Sequence, residues 1–204
     1  MANNKNTDIE IHPWEPFIPE GAKVLIMGTF PPGQHRWSMD FYYPNPTNDF
    51  WRIMSLIYLG DKDALYSRVL KRFDVDAVRQ LATEHHIALN DTAREIRRLK
   101  GNASDKFLEI LKPVPLFDIL SEMPECSDVA TTGEKAAEVI ATLTGTAVPR
   151  MGEYVEKDGI RYWRMPSTSR AYPMKLEEKA AFYMRLLQVA GCMPDKSESH
   201  ELEM

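Results

Sequence analysis

Three stretches of this chain combine residue types that do chemistry rather than packing. The first, Gly28-Thr29-Phe30-Pro31-Pro32-Gly33, follows the apolar run Val24-Leu25-Ile26-Met27. Its glycine spacing is that of a Walker A loop, but Gln34 and His35 stand where such a loop needs Lys and Ser or Thr. Pro31 and Pro32 also lack the backbone N–H groups that would cradle a phosphate. No G-x-G-x-x-G occurs, so nucleoside triphosphates and nicotinamide dinucleotides are not the expected ligands. The second stretch, Phe41-Tyr42-Tyr43-Pro44-Asn45-Pro46-Thr47-Asn48, is an aromatic and polar loop whose last residue suits the N-cap of a following helix. A strand that feeds such a loop into a helix N-terminus is where an open α/β sheet places its site. The third, Ser167-Thr168-Ser169-Arg170-Ala171-Tyr172, offers hydroxyls and amides that fit a phosphate, and equally fit a capping turn before the next helix. Thr132-Gly133 opens another helix whose N-terminus suits a phosphate or a base edge.

Other chemistries find less support. Cys126 and Cys192 are the only cysteines, too few for an iron–sulfur cluster or a four-cysteine zinc site, and two reduced thiols are expected. His85 and His86 are adjacent, which turns them away from a common ion on a helix or strand, and no H-E-x-x-H spacing occurs. No metal and no cofactor are expected. The net charge of -5 argues against a general nucleic-acid coat. Basic clusters remain at Arg94, Arg97, Arg98 and Lys100 and at Arg161, Arg164, Arg170 and Lys175, which would allow a localised, salt-sensitive contact with DNA. Arg94, Arg97 and Arg98 read first as the solvated face of a helix. No run approaches the ~20 apolar residues of a membrane span. Met1-Ala2-Asn3-Asn4-Lys5-Asn6 has no signal-peptide core, so a cytoplasmic location is expected.

The elements that must position these stretches follow from periodicity. With 204 residues, 44% apolar and 27% charged, the chain is sized for one domain with a substantial core. Residues 1–22 read as an extended arm carrying Trp14 and Phe17, 23–191 as a single α/β domain, and 192–204 as an acidic tail. Strands are expected at 24–27, 86–89, 128–132 and in a segment ending at Met165, the last entered through a hairpin turn at Lys157-Asp158-Gly159. Helices are expected after Asn48, around 64–72, after Asp74, over 105–111 behind an N-cap at Ser104, and over 116–123, 134–143 and 176–189. Strands alternating with helices predict a three-layer α/β/α sandwich with a central, mainly parallel four-stranded sheet. Right-handed crossovers then bring the loops after Met27, Leu89, Thr131 and Met165 to one edge.

Read together, Gly28-Thr29-Phe30-Pro31, Phe41 to Trp51, and Met165-Pro166-Ser167-Thr168-Ser169 resemble motifs of the uracil-DNA glycosylase superfamily. The nearest branches are the mismatch-specific uracil-DNA glycosylases and the hypoxanthine-DNA glycosylases, and Ile87-Ala88-Leu89-Asn90-Asp91 is similar to the second. The resemblance implies a monofunctional, cofactor-free glycosylase that flips a deaminated base, uracil or hypoxanthine, out of DNA and hydrolyses its N-glycosidic bond. It implies that Asn48, three residues before Trp51, orients the attacking water; spacing alone equally allows a plain N-cap. Gly28, Thr29, Phe30, Tyr43 and Asn45 are the implied base pocket, with Tyr43 the stacking platform and Phe41 and Tyr42 further walls. Thr132, Gly133, Ser167, Thr168, Ser169, Arg170 and Tyr172 are the implied DNA contacts, with Arg170 and Tyr172 filling the gap the base leaves. Phe30 stands where the mismatch-specific branch has Asn, while Asn45 and Asn90 replace a His and a Trp of the other branch. A catalytically weak or inactive nucleic-acid-binding member of the same fold is therefore the alternative, and hydrolysis of free nucleosides a third. The implied partner is DNA carrying a damaged or mismatched base, with no membrane and no obligate protein partner.

Overall fold

The computed structural model describes residues 8–99 and 107–193. In chain order these form β1 (Ile9–Ile11), β2 (Val24–Gly28), α1 (Phe50–Leu59), β3 (Tyr66–Ser67), β4 (Arg72–Phe73), α2 (Val75–Glu84), β5 (Ile87–Asp91), β6 (Ala93–Arg98), β7 (Leu108–Pro113), α3 (Leu116–Ser121), β8 (Asp128–Thr131), α4 (Glu134–Thr144), β9 (Tyr154–Lys157), β10 (Ile160–Arg164) and α5 (Leu176–Val189). None of these helices is long and apolar enough to cross a membrane.

The apolar runs read as strands meet in one central sheet of order β5-β2-β8-β10-β9. Neighbours among β5, β2, β8 and β10 pair parallel, and β9 pairs antiparallel with β10. The sheet thus has five strands, not the four expected. The fifth is the outer arm of the 157–159 hairpin, largely exposed and without an apolar alternation to announce it. Every residue of β2 is buried, as expected for a strand covered on both faces. Alternate side chains serve two cores. Val24, Ile26, Ile87, Leu89, Ala130 and Trp163 pack with α1, α2 and α5, whereas Leu25, Met27, Ala88, Val129 and Tyr162 pack with α3 and α4.

A second sheet was not anticipated. β1-β6-β7 is a three-stranded antiparallel sheet, so Ile9–Ile11 of the arm pair as a strand and Arg94, Arg97 and Arg98 lie on a strand rather than a helix face. Register shifts in the β6–β7 pairing around Glu95 break the two-residue alternation. Buried Ala93 and Ile96 consequently stand three apart, a helix-like spacing. The helix expected over 105–111 is also overturned, since β7 occupies 108–113; Ser104 lies outside the described residues. The helix expected around 64–72 is instead the β3–β4 ribbon. There Tyr66 and Phe73 take up the Arg52 guanidinium at 4.5 and 5.2 Å from their ring centres, a tertiary contact that overrides local propensity.

Candidate functional site

The carboxyl ends of β2, β5, β8 and β10 lie along one edge of the central sheet, and beyond them opens a cavity of about 1000 Å³. Gly28, Thr29, Phe30, Tyr43, Asn45, Asn48, Thr132, Gly133, Ser167, Thr168, Ser169, Arg170 and Tyr172 all line it. Phe41 and Tyr42 do not. They are 3% and 1% exposed and belong to the core, which corrects their assignment as pocket walls.

The inner corner is set where β2 ends. Gly28 faces Asp91 of β5 in register, and a Cβ on Gly28 would stand 2.5 Å from Asp91 Oδ1 and 3.6 Å from the Tyr43 hydroxyl oxygen. Glycine is present here to make room. Asp91 is 6% exposed and its Oδ2 lies 2.9 Å from Nε2 of His12, itself 4% exposed. His12 Nδ1 lies 2.9 Å from the Trp14 carbonyl oxygen. Thr29 is buried, and half-buried Phe30 packs on Ala93, Ile96 and Leu108 while meeting the His12 ring edge-on at 5.4 Å.

The aromatic loop supplies one wall. Tyr43 adopts a left-handed φ of 54°, and its ring stacks on Phe50 at 3.9 Å between centroids. Its hydroxyl lies 3.5 Å from that of Thr132. Tyr42 points the other way, its hydroxyl donating to the Glu15 carbonyl and Asn90 Oδ1 at 3.0 and 3.1 Å. Burial, reinforced by the charge of Asp91, pushes its pKa up, so it remains a neutral donor. Asn45 shapes the turn, with Oδ1 accepting from the Thr47 amide and hydroxyl at 3.0 and 2.8 Å. Asn48 Oδ1 accepts from the Phe50 amide at 2.9 Å. That bond serves the helix start, although the cap position itself falls on Asp49. It uses one of the two lone pairs of Oδ1.

The opposite wall is the 166–173 loop. Ser167 Oγ accepts from the Ser169 amide at 3.2 Å, and Ser169 Oγ from the Ala171 amide at 3.3 Å. The turn is closed on itself rather than capping α5, whose cap residue is Lys175 with no side-chain bond. Buried Thr168 offers its carbonyl to the Asp49 amide at 2.8 Å, and Asn48 and Ser169 form an antiparallel bridge, so the two loops are joined at their rims. Tyr172 donates its hydroxyl to Met151 Sδ at 3.3 Å.

Charge completes the seam. Asp49, 7% exposed, meets Arg170 Nε through Oδ1 and Lys179 Nζ through Oδ2, both at 3.1 Å. Lys179 is fully buried and also donates to the Ser169 carbonyl at 2.8 Å. Among the described residues, the arginines of the basic clusters are held by carboxylates; Lys100 lies outside the described residues. Arg94, Arg97 and Arg98 pair with Glu15, Glu109 and Glu10, and Arg161 and Arg164 with Asp128 and Glu134. The cations lining the cavity are Arg36, Lys135 and Arg170.

Sequence reasoning missed Asp91, His12, Asp49 and Lys179. Asp91 was signalled as a polar strand end and as the last residue of the Ile87-Ala88-Leu89-Asn90-Asp91 resemblance, with no role assigned to it. His12 lies 79 residues away from it and Lys179 130 residues from Asp49, beyond any local pattern.

No protein-family model matches the sequence, and no curated protein matches it. Among solved structures, the chain is similar to the solution NMR structure of a "putative Uracil DNA glycosylase" from Methanosarcina acetivorans, with 20% identity and a TM-score of 0.61. The match covers 89% of this chain and 99% of that one. At this identity the likeness is one of fold: a mixed α/β architecture with a central, largely parallel sheet.

Proposed function

We propose that this chain is a DNA glycosylase of the uracil-DNA glycosylase superfamily, hydrolysing the N-glycosidic bond of uracil or hypoxanthine extruded from DNA and leaving an abasic site. The observation that carries this reading is the convergence of the loops bearing Tyr43, Asn48, Thr132 and Ser167 on one cavity of about 1000 Å³, large enough for a nucleotide. The fold shared with the Methanosarcina acetivorans structure supports it. So do the two cores on opposite sheet faces, which fit a three-layer domain over 23–191, with Trp14, Phe17 and Ile18 of the arm packed on them.

In this reading Tyr43, backed by Phe50, presents its other ring face to the base, a stacking contact worth about 1–3 kcal/mol. Asn48 orients water through the remaining lone pair of Oδ1. The transition state is oxocarbenium-like, so positioning and electrostatics matter more than a strong base. Water adds to the anomeric carbon as the base leaves as an anion, received by the amides of Thr29 and Phe30. The flanking phosphates meet the O–H donors of Ser167 and Ser169, the N-terminus of α4 at Thr132-Gly133, and the cations Arg36, Lys135 and Arg170. One observation favours a second reading, a member that binds DNA without efficient chemistry: the ring of Phe30 stands at the loop position where the mismatch-specific branch carries Asn.

Labelled duplexes carrying a single uracil, hypoxanthine or mismatched base, incubated with the protein and then treated with alkali, separate the readings. Strand breaks at the lesion are the expected result. A gel shift without breaks supports the binder, and base release from free nucleosides alone overturns both.

A further inference from the structure

We propose that a second, smaller hollow beside the cavity is a nucleobase subsite, which stacks the base next to the extruded one and accepts from its exocyclic amino group. The proposal rests on the glycosylase reading and deepens it, by giving the neighbouring nucleotide of the substrate a place.

This hollow, of about 470 Å³, is lined by Trp14, Trp37 and Asp40 together with Phe30, Pro31 and Pro32. The last three also line the cavity of the candidate site, so the 30–32 segment is a partition common to both. A strand whose target base fills the first hollow would bring a neighbouring base to the second. The walls are pinned in place. Trp14 meets Trp37 at 4.8 Å between ring centroids and is backed by Tyr42 at 5.3 Å. Trp14 Nε1 donates to Asp40 Oδ1 at 2.8 Å, and Trp37 Nε1 to the Pro32 carbonyl at 2.7 Å. Half-buried Trp37 has no second ring partner among the described residues, which leaves indole surface for a flat guest.

Charge and hydrogen bonding choose the occupant. Arg36, Lys135 and Arg170 line the first hollow, whereas no Lys or Arg among the described residues lines the second, which carries Glu10 and Asp40 instead. A phosphate is repelled there, and an uncharged group bearing N–H donors is admitted. Glu10 is committed, its two oxygens accepting from Arg98 at 2.8 and 2.9 Å. Asp40 is exposed; its Oδ1 is taken by Trp14, and its Oδ2 is left to accept from a ligand. Adenine, cytosine and guanine carry an amino group that can donate to it, and thymine does not. A proline-rich peptide is the other flat-faced guest of an aromatic groove. With both indole N–H groups already spent inside the protein, its carbonyls would find no indole donor. Trp37 and Asp40 are thus specificity residues for the nucleotide beside the lesion.

The test uses short single strands, in which the neighbouring base is already unpaired. Each carries a stable tetrahydrofuran abasic nucleotide at the target position. Its flanks on both sides are adenine, purine lacking the amino group, or further abasic nucleotides. Binding to the full chain is followed by anisotropy, beside uracil release from DNA. Wild type should bind the adenine-flanked strand at least about tenfold more tightly than the strand without flanking bases, with purine flanks in between. Trp37→Ala should abolish the advantage of a flanking base, and Trp37→Phe, which keeps a flat ring, should retain most of it. Asp40→Ala should erase the difference between adenine and purine while keeping the stacking advantage. Equal wild-type binding with and without flanking bases, or an undiminished advantage in folded Trp37→Ala, overturns the subsite; the wild-type comparison stands even if that variant does not fold. Equal wild-type binding of adenine and purine flanks overturns the part given to Asp40. Uracil release by a protein indifferent to flanking bases leaves the glycosylase reading intact. Flank preference without release from any DNA upholds the subsite and overturns the glycosylase, while neither preference nor release overturns both.

Discussion

Asn48 combines two tasks that come apart on mutation. Its Oδ1 holds the Phe50 amide, so Asn48→Ala should cost about 1 kcal/mol in thermal or denaturant unfolding, as for a lost helix cap. If it also positions water, base release should fall by about a hundredfold or more; parallel small losses in both measurements would leave it a cap alone. Gly28 is a sharper case, because its φ is open to other residues and only space forbids a side chain. Gly28→Ala should destabilise by about 1–3 kcal/mol through overpacking against Asp91 and should reduce base release at least tenfold in a folded protein. Wild-type rates would show that the carboxylate yields. At this scale the sequence was legible where chemistry sits in contiguous loops. It was opaque where a site residue is recruited from afar. His12 has no neighbour in sequence that marks it, and Lys179, a residue type normally solvated, lies hidden inside an ordinary amphipathic helix.

Helix α5 does more than cover the sheet. Through Lys179 it grips both the start of α1, at Asp49, and the 166–173 loop, at the Ser169 carbonyl. Removing one partner of a buried pair strands the other, so Lys179→Met should cost about 3 kcal/mol, the low end of the range because Asp49 keeps Arg170. Adding Asp49→Leu should recover part of the loss in the same melts. If the single variant melts like wild type, the seam is not what joins the loops. The elements that sequence predicted well, β2, β5, β8, α4 and α5, have uninterrupted apolar runs or periodicity. Those it mistook, β3, β4, β6 and β7, owe their shape to distant partners: aromatic rings around Arg52, a bulged register between β6 and β7, and the pairing of β6 with the arm strand β1. Periodicity carries no trace of them.

For the molecule as a whole, the arrangement of charge matters more than its sum. Arginines that look like a docking face in sequence are paired with nearby carboxylates, and the cations lining the cavity are Arg36, Lys135 and Arg170, the last also held by Asp49. The logarithm of the duplex binding constant should therefore fall against the logarithm of salt concentration at a slope of about -3 in a gel-shift or anisotropy titration. A slope near twice that value would mean that the paired arginines open to contact phosphate. The resemblance reached the fold because the sheet and the loops at its edge are built from contiguous segments. It did not reach the second sheet or the arm's contribution, which are non-local. The joined rims carry one more consequence. The Asp49 amide proton is bonded to the Thr168 carbonyl at 2.8 Å, across the boundary between the two walls. Replacement of that single hydrogen by deuterium requires the walls to part, so its exchange rate is an intrinsic, label-free clock for how often the cavity breathes and how far an occupant slows it.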